Sequence, residues 1–113
     1  MKKDIKVYLD DILESISQIE RYISGVTFAV FETDTQKQDA VIRRFEIIGE
    51  AIKQIPKEFV SQYPNVAWKQ AAGIRDVLIH DYSEVNLKRV WNTINQDLPE
   101  LKMEIRSIRD SLK

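Results

Sequence analysis

The chain has 113 residues, 43% of them apolar and 31% charged, which is the composition of one soluble globular domain. It contains no cysteine, which excludes disulfides and thiolate metal sites, and its single histidine argues against a zinc site. The net charge of −1 provides no global field for attracting nucleic acid. We therefore expect a single domain over residues 1–113, with no cofactor and no metal.

The amino-terminal residues and the hydropathy predict a cytoplasmic location. The start, Met-Lys-Lys-Asp-Ile-Lys, has an acidic residue at once and no unbroken apolar stretch behind it, so no signal peptide is expected. No apolar stretch approaches the length of a membrane span. We expect a cytoplasmic protein with no membrane partner.

The amino-terminal half predicts two long helices. Apolar residues recur every three or four positions over residues 4–24, which is typical of an amphipathic helix. Residues 26–35 form an apolar connection that is expected to pack onto the bundle as a short helical turn. The second helix is predicted over residues 35–55, with Thr35 as its cap and Gln38 as the capping-box partner. The predicted stops of the two helices are Gly25 and Pro56.

The carboxy-terminal half predicts two further helices. The first is capped by Asn65 and runs from about Val66 to residue 79 or 81. Helical spacing resumes over residues 87–95, and Pro99 then leaves two alternatives. It either kinks one long helix or opens a new helix capped by Asp97. Four main helices with short connections predict an all-α fold, an antiparallel four-helix bundle with short additional helical turns.

Residues 73–84 concentrate the polar chemistry of the chain, with Arg75, Asp76, His80 and Tyr82 within eight positions. A histidine can take a proton from a ribose 2′-OH or give one to a leaving oxygen. The arginine fork matches the oxygens of a phosphodiester, and a tyrosine can bond phosphate or stack on a base. Because the 2′-OH supplies the nucleophile, this chemistry requires no metal.

Ideal helix geometry limits how this cluster can act. Asp76 and His80 are four residues apart, so the carboxylate can hold an imidazole N–H. Arg75 and His80 diverge by about 140° on a regular helix. Both can reach one substrate atom only if the helix unwinds near His80 or if a second chain completes the site. Two simpler readings stay open at this point: His80 as a capping or packing residue, and Arg75 as the partner of a nearby carboxylate.

The pattern Arg75-x4-His80-x-Tyr82 resembles the signature of the HepT toxins, a branch of the HEPN ribonuclease superfamily. Further blocks resemble the same family in the same order along the chain: residues 38–43, 45–51, 63–68, 72–82, 90–91 and 97–101. The resemblance implies a HEPN-type bundle that forms a homodimer. It also implies a metal-independent endoribonuclease, the toxin of a type VII toxin–antitoxin system.

The resemblance also implies roles for individual residues. His80 is expected to act as general acid and base, and Arg75 to stabilise the pentacoordinate phosphate, at a composite site on the dimer interface. Asp76 is expected to orient His80 or polarise the site. Tyr82 is expected to contact substrate and to be AMPylated by a cognate MntA nucleotidyltransferase, which silences the toxin. Glu46 is the expected supporting carboxylate beside Arg75, with a plain surface acid as the alternative.

The expected partners are therefore RNA, a second copy of the chain and the MntA-type antitoxin, but not DNA. The basic residues that could grip RNA around the cleft are Arg43, Arg44, Lys69, Lys88 and Arg89. Two alternatives from another class remain. One is a non-catalytic helical dimerisation or interaction partner of a nucleotidyltransferase, and the other is an antitoxin that binds its partner by helix packing.

Overall fold

The computed structural model describes residues 4–69, 71–72 and 86–112. All regular elements in these ranges are helical and none is a strand, so the all-α fold class is confirmed. The elements are α1 (Ile5–Ile23), α2 (Phe28–Thr33), α3 (Thr35–Gln54), α4 (Lys57–Val60), α5 (Leu87–Asn92), a π turn (Thr93–Asp97) and α6 (Leu98–Ser111).

The core is built mainly where α1 packs against α3, the most extensive helix pair in the described part of the chain. Both helices bury one apolar stripe. Its fully buried members are Leu9, Ile12, Ile16 and Ile19 on α1 and Val41, Phe45 and Ile48 on α3. Since burying one such side chain contributes about 1.5–3 kcal/mol, this pair carries much of the stability of the fold.

The ends of α1 and α3 follow from local chemistry. The Asp4 carboxylate accepts from the Lys6 backbone N–H at 2.9 Å and caps α1. Gly25 follows α1 with φ +72°, a left-handed conformation that glycine adopts without steric cost. Ile55 is extended because Pro56 disfavours helical geometry in the residue before it, so α3 ends there. Both predicted stops are confirmed.

The predicted cap of α3 is wrong. The Asp34 carboxylate, not Thr35, accepts from the Lys37 backbone N–H at 3.0 Å, and Thr35 is already helical. The Gln38 side chain does not complete a capping box, because its amide donates to the carbonyls of Phe31 and Glu32 at 2.9 and 3.0 Å. These carbonyls lie at the end of α2, where the regular helical bonds stop, and the Phe31 carbonyl also accepts from the Asp34 N–H at 3.3 Å.

The apolar connection forms the short helical turn that its composition predicts. The Thr27 hydroxyl caps α2 by accepting from the Val30 N–H at 3.3 Å. Phe31 then lies fully buried in the core. The connection is therefore part of the packed bundle.

The C-terminal helix, residues 87–111, consists of α5, the π turn and α6 without interruption. It packs antiparallel to α1, as two ion pairs show. The Arg109 Nε lies 2.8 Å from an Asp10 carboxylate oxygen, and the Lys102 Nζ lies 2.9 Å from a Glu20 carboxylate oxygen. Partly exposed pairs of this kind contribute at most about 1 kcal/mol each, so they orient the helices more than they stabilise them.

Candidate functional site

The predicted catalytic cluster lies outside the part of the chain that the structure describes. This applies to Arg75, Asp76, His80 and Tyr82, and their assigned roles stay predictions. The structure does describe the helical start that leads into the cluster, the helix that follows it, and Glu46 on α3.

The helix leading toward the cluster starts later than predicted. Val66 lies in a bend, and the first regular helical bond runs from the Ala71 N–H to the Ala67 carbonyl at 3.0 Å. The helix begins at Trp68, two residues after the predicted start near Val66, so the predicted Asn65 cap is wrong. The Tyr63 carbonyl accepts hydrogen bonds from the Trp68 indole N–H at 3.0 Å and from the Val66 N–H at 3.2 Å. These two bonds hold the segment in a turn.

Trp68 anchors this entry to the core. Its side chain is 8% exposed, and its indole donor is satisfied by the turn itself. Tyr63 in turn packs on Phe59 with ring centroids 5.2 Å apart. The beginning of the helix that leads toward the motif is thus fixed to buried aromatic side chains.

The helix that follows the cluster begins at Asn86, whose side chain oxygen accepts from the Arg89 N–H at 3.0 Å. Trp91 on this helix lies 5.3 Å from the ring of buried Phe31 and 6.1 Å from the ring of Phe28. Lys88 places its ammonium 4.6 Å from the Phe28 ring centroid, a cation–π contact. The sequence reading missed Phe28 as a partner of this helix, since only the apolarity of its segment marked it.

The π turn at residues 93–97 decides between the two alternatives for Pro99. The chain continues as one helix, Asp97 has helical dihedrals and its side chain forms no cap bond, so no new helix starts there. In the π turn the Leu98 N–H donates to the Thr93 carbonyl, five residues back. This wider register accommodates a proline that has no N–H of its own.

Two side chains satisfy carbonyls around the π turn. The Thr93 hydroxyl donates to the Arg89 carbonyl at 2.9 Å, and the Asn95 amide donates to the Trp91 carbonyl at 2.9 Å. Such back-bonding relieves backbone acceptors where the regular ladder is altered. The irregularity is therefore compensated locally.

Glu46 is half-buried on α3 and forms an ion pair with Arg43 at 3.5 Å. The two residues line a cleft of about 350 Å³ between α1 and α3, which Tyr8, Asp11 and Glu50 also line. The Glu46 side chain is 35% exposed, so its carboxylate reaches a solvent-open cleft. This agrees with a carboxylate available to a second arginine, and its role beside Arg75 stays a prediction.

Another cleft, of about 230 Å³, lies between the helical start at residues 68–69 and 71–72 and α6. Ala67 and Ala71 line one side, and Glu104 lines the other. Burial, and then the charge of Glu100, raises the pKa of Glu104. The carboxylates of Asp97, Glu100 and Glu104 line this cleft and would repel an RNA phosphate.

The predicted RNA-gripping cations differ in their surroundings. Arg43 is exposed and forms an ion pair with Glu46 at 3.5 Å, and Arg44 is half-buried. Lys69, Lys88 and Arg89 are exposed.

Within residues 4–69, 71–72 and 86–112, no group of three or more histidine, cysteine, aspartate or glutamate side chains could hold a metal ion. No helix in these ranges is long and apolar enough to span a membrane.

A protein family described as Ribonuclease HepT-like matches residues 12–108 of the sequence. The chain belongs to the HepT-like ribonuclease family. The predicted family is thereby confirmed, and membership supports the predicted enzyme class, an endoribonuclease. The matched residues include the whole Arg-x4-His-x-Tyr pattern and both of its flanking regions.

Curated relatives support the HepT-like assignment. The chain is 49% identical over 112 residues to a Methanocaldococcus jannaschii protein named a gamma-glutamylcyclotransferase and putative RNase, covering 99% of the chain and 50% of that protein. It is 42% identical to a probable ribonuclease HepT of Thermococcus cleftensis, covering 96% and 99%. It is 40% identical to a putative RNase of Caldanaerobacter subterraneus, covering 94% and 95%.

The chain thus spans half of the first relative and nearly all of the other two. No solved structure matches the HepT-like chain significantly.

Proposed function

We propose that the chain is a metal-independent endoribonuclease whose catalytic groups are Arg75 and His80. The observation that carries this proposal is the HepT-like family match over residues 12–108, which contains the intact pattern. A scaffold that only binds a partner has no need for an arginine, a histidine and a tyrosine at this spacing. The family assignment and the residue chemistry therefore support the same activity.

The proposed reaction is a transesterification within RNA. The ribose 2′-oxygen attacks the adjacent phosphorus, the bond to the 5′-oxygen breaks, and a 2′,3′-cyclic phosphate forms. His80 takes the 2′-OH proton or delivers one to the leaving oxygen. Arg75 stabilises the charge that builds on the phosphoryl oxygens. Asp76 orients His80, and Glu46 orients Arg75 from α3.

Two proton transfers favour two histidines, and one chain supplies only one. The proposal therefore includes a homodimer with a composite site in which both copies contribute their motif. A dimer has twice the 13.2 kDa mass of the chain, which light scattering coupled to gel filtration measures directly. A monomer with full cleavage activity would contradict the composite site.

The proposal further assigns the chain as the toxin of a type VII toxin–antitoxin pair with an MntA-type nucleotidyltransferase. The partner would transfer AMP from ATP to the Tyr82 hydroxyl, with pyrophosphate as the leaving group. The adduct brings negative charge and bulk to a place that receives RNA phosphate, so it silences the enzyme. Intact-mass measurement after incubation with the partner and ATP, with Tyr82→Phe as control, tests this step.

The test of the nuclease is RNA cleavage in excess EDTA. We expect the wild type to cleave, and His80→Ala and Arg75→Ala each to lose about 10²-fold or more while remaining folded. Asp76→Asn and Glu46→Gln should lose less, because they act through the other two groups. Cleavage that survives His80→Ala would place the activity elsewhere. A wild type that is inert and carries no AMP would favour the interaction partner of a nucleotidyltransferase.

A further inference from the structure

The helix that follows the motif carries a shallow polar groove of about 380 Å³ on its exposed side. We propose that this groove is an RNA subsite, which binds phosphates and bases of the single-stranded RNA next to the bond that is cut. The inference rests on the proposed ribonuclease function and adds a binding site to it. The residues that line the groove are Asn86, Lys88, Arg89, Asn92, Thr93, Gln96 and Asp97.

The composition of the groove favours RNA over a protein partner. Every lining side chain is polar or charged, with two cations against the one carboxylate of Asp97. Stable protein interfaces have an apolar, largely uncharged centre, which this groove lacks. Nucleic-acid interfaces are polar, positively charged and rich in amide and hydroxyl contacts, which the groove provides.

The two cations of the groove remain available for phosphate. Among the residues that the structure describes, no carboxylate forms an ion pair with Lys88 or Arg89. By contrast Arg43, Lys102 and Arg109 are each paired with an acid. A cation that is not paired with a carboxylate gains more from a phosphate than one that must first break an ion pair.

Lys88 is also held in place. Its ammonium lies 4.6 Å from the centre of the Phe28 ring, and that ring packs on Trp91, which packs on buried Phe31. A positioned side chain loses less conformational entropy when it binds. The ammonium held over the Phe28 ring is therefore a positioned donor for a phosphate of the RNA.

The position of the groove in the sequence links it to the motif. Asn86 comes four positions after Tyr82 in the sequence. A chain of that length spans at most about 14 Å, so the groove begins within reach of nucleotides that flank the reacting phosphate. Arg75 and His80 act on the cut bond itself, whereas the groove would hold the neighbouring strand.

The test measures RNA binding and its salt dependence. In a His80→Ala background, so that the RNA stays intact, Lys88→Gln/Arg89→Gln is compared with its parent by fluorescence anisotropy on a labelled single-stranded oligonucleotide. The matched control, Lys57→Gln/Arg106→Gln, removes two exposed cations outside the groove.

We expect the groove variant to bind about tenfold more weakly at low salt, and its slope of log affinity against log salt to fall by about 0.7 for each lost phosphate contact. The control should keep the slope of the parent. Equal effects of the two pairs, or no effect of the groove pair, would overturn the subsite. So would a groove pair that leaves RNA binding intact and abolishes binding of the nucleotidyltransferase.

Cleavage kinetics separate the groove from the chemistry. With His80 present, the groove variant should raise KM for a flanked oligonucleotide about tenfold with kcat nearly unchanged, and should match wild type on a dinucleotide. A wild type that binds RNA without cutting it would contradict the nuclease and leave the groove supported. A wild type that cuts RNA, with a groove variant equal to it on both substrates, would contradict only the groove.

Discussion

The first helix and the C-terminal helix pack against each other, yet they differ in regularity and in what their outer faces carry. α1 is a regular helix with a capped start, and its apolar stripe meets α3 in the centre of the core. The C-terminal helix contains a π turn, and its exposed side carries the polar groove. Both helices bury one stripe, so burial alone does not distinguish them.

The difference shows which part of the fold is sensitive to substitution and which part tolerates an irregular backbone. The apolar stripe between α1 and α3 is fully buried, so a side chain removed from it leaves a cavity. The π turn carries its own compensation through Thr93 and Asn95, and its outer side faces solvent. We therefore expect large effects of substitution in the first pair and small effects on the outer side of the C-terminal helix.

The largest expected effect is at the centre of the packed pair. Phe45 is 1% exposed, and Phe45→Ala should lower the free energy of unfolding by about 3–5 kcal/mol because it leaves a cavity. Urea denaturation measures this loss. Phe45→Leu is the control, because leucine leaves a smaller cavity than alanine and should cost less. A loss below about 1 kcal/mol would show that the pair is loosely packed.

A smaller loss is expected at the start of α3. Asp34→Ala removes the carboxylate that accepts from the Lys37 N–H, and should cost about 1 kcal/mol. Thr35→Ala is the matched control and should cost little, since Thr35 is already inside the helix. Thermal unfolding of both variants decides between the two residues, and a larger effect of Thr35→Ala would return the cap to Thr35.

A gain is expected from the one polar side chain buried in α1. Ser15 is 1% exposed and its hydroxyl has no hydrogen-bond partner. Ser15→Ala removes an unsatisfied polar atom with almost no change of volume, so it should stabilise the fold by about 1 kcal/mol. Ser15→Thr keeps the hydroxyl and adds a methyl group to a packed site, so it should destabilise. A loss of stability in Ser15→Ala would mean that the hydroxyl is satisfied in solution.

The π turn should make the proline of the C-terminal helix nearly neutral. Proline costs about 3 kcal/mol inside a regular helix, and the wider register at residues 93–97 already accommodates Pro99. Pro99→Ala should therefore change the free energy of unfolding by less than about 1 kcal/mol. Chemical denaturation that gave a gain near the full proline cost would show that the helix is strained there.

The smallest effect is expected at Glu104. Burial, and then Glu100, raises its folded pKa above the ordinary 4.5, so the fold favours the protonated form. Its contribution to stability is therefore present below the unfolded pKa and is lost as the pH rises through the folded pKa. Glu104→Gln should be slightly more stable than wild type at neutral pH, and the difference should vanish at low pH. Melting curves from pH 3 to 8 measure it, and a difference that grows in acid would contradict the assignment.

Much of the fold was predictable because helices depend on local pattern. The apolar periodicity of residues 4–24, the stop at Gly25 and the break at Pro56 are all found in the structure. The cap of α3 was mispredicted because Asp34 and Thr35 are both good caps, and sequence does not tell which one the preceding segment presents to the helix.

The candidate site was predictable in a different sense. The pattern Arg75-x4-His80-x-Tyr82 pointed to RNA chemistry and to the family, and the family is confirmed. The groove on the following helix was predictable only in part, because Lys88 and Arg89 appeared in the sequence as two among several basic residues. Arg43, Lys102 and Arg109 form ion pairs with acids, whereas Lys88 and Arg89 form none within the described residues. Which cations are paired depends on how the helices pack.

The sequence by itself determined the helical class, the main helix ends and the family, because these depend on neighbours within a few positions or on a compact motif. Only the tertiary structure decided which charges meet and which stay free. Arg109 finds Asp10 and Lys88 lies over Phe28, pairs of residues that are far apart in the chain. Such contacts follow from how the helices cross, and a repeating apolar stripe permits many crossings until the whole core is packed.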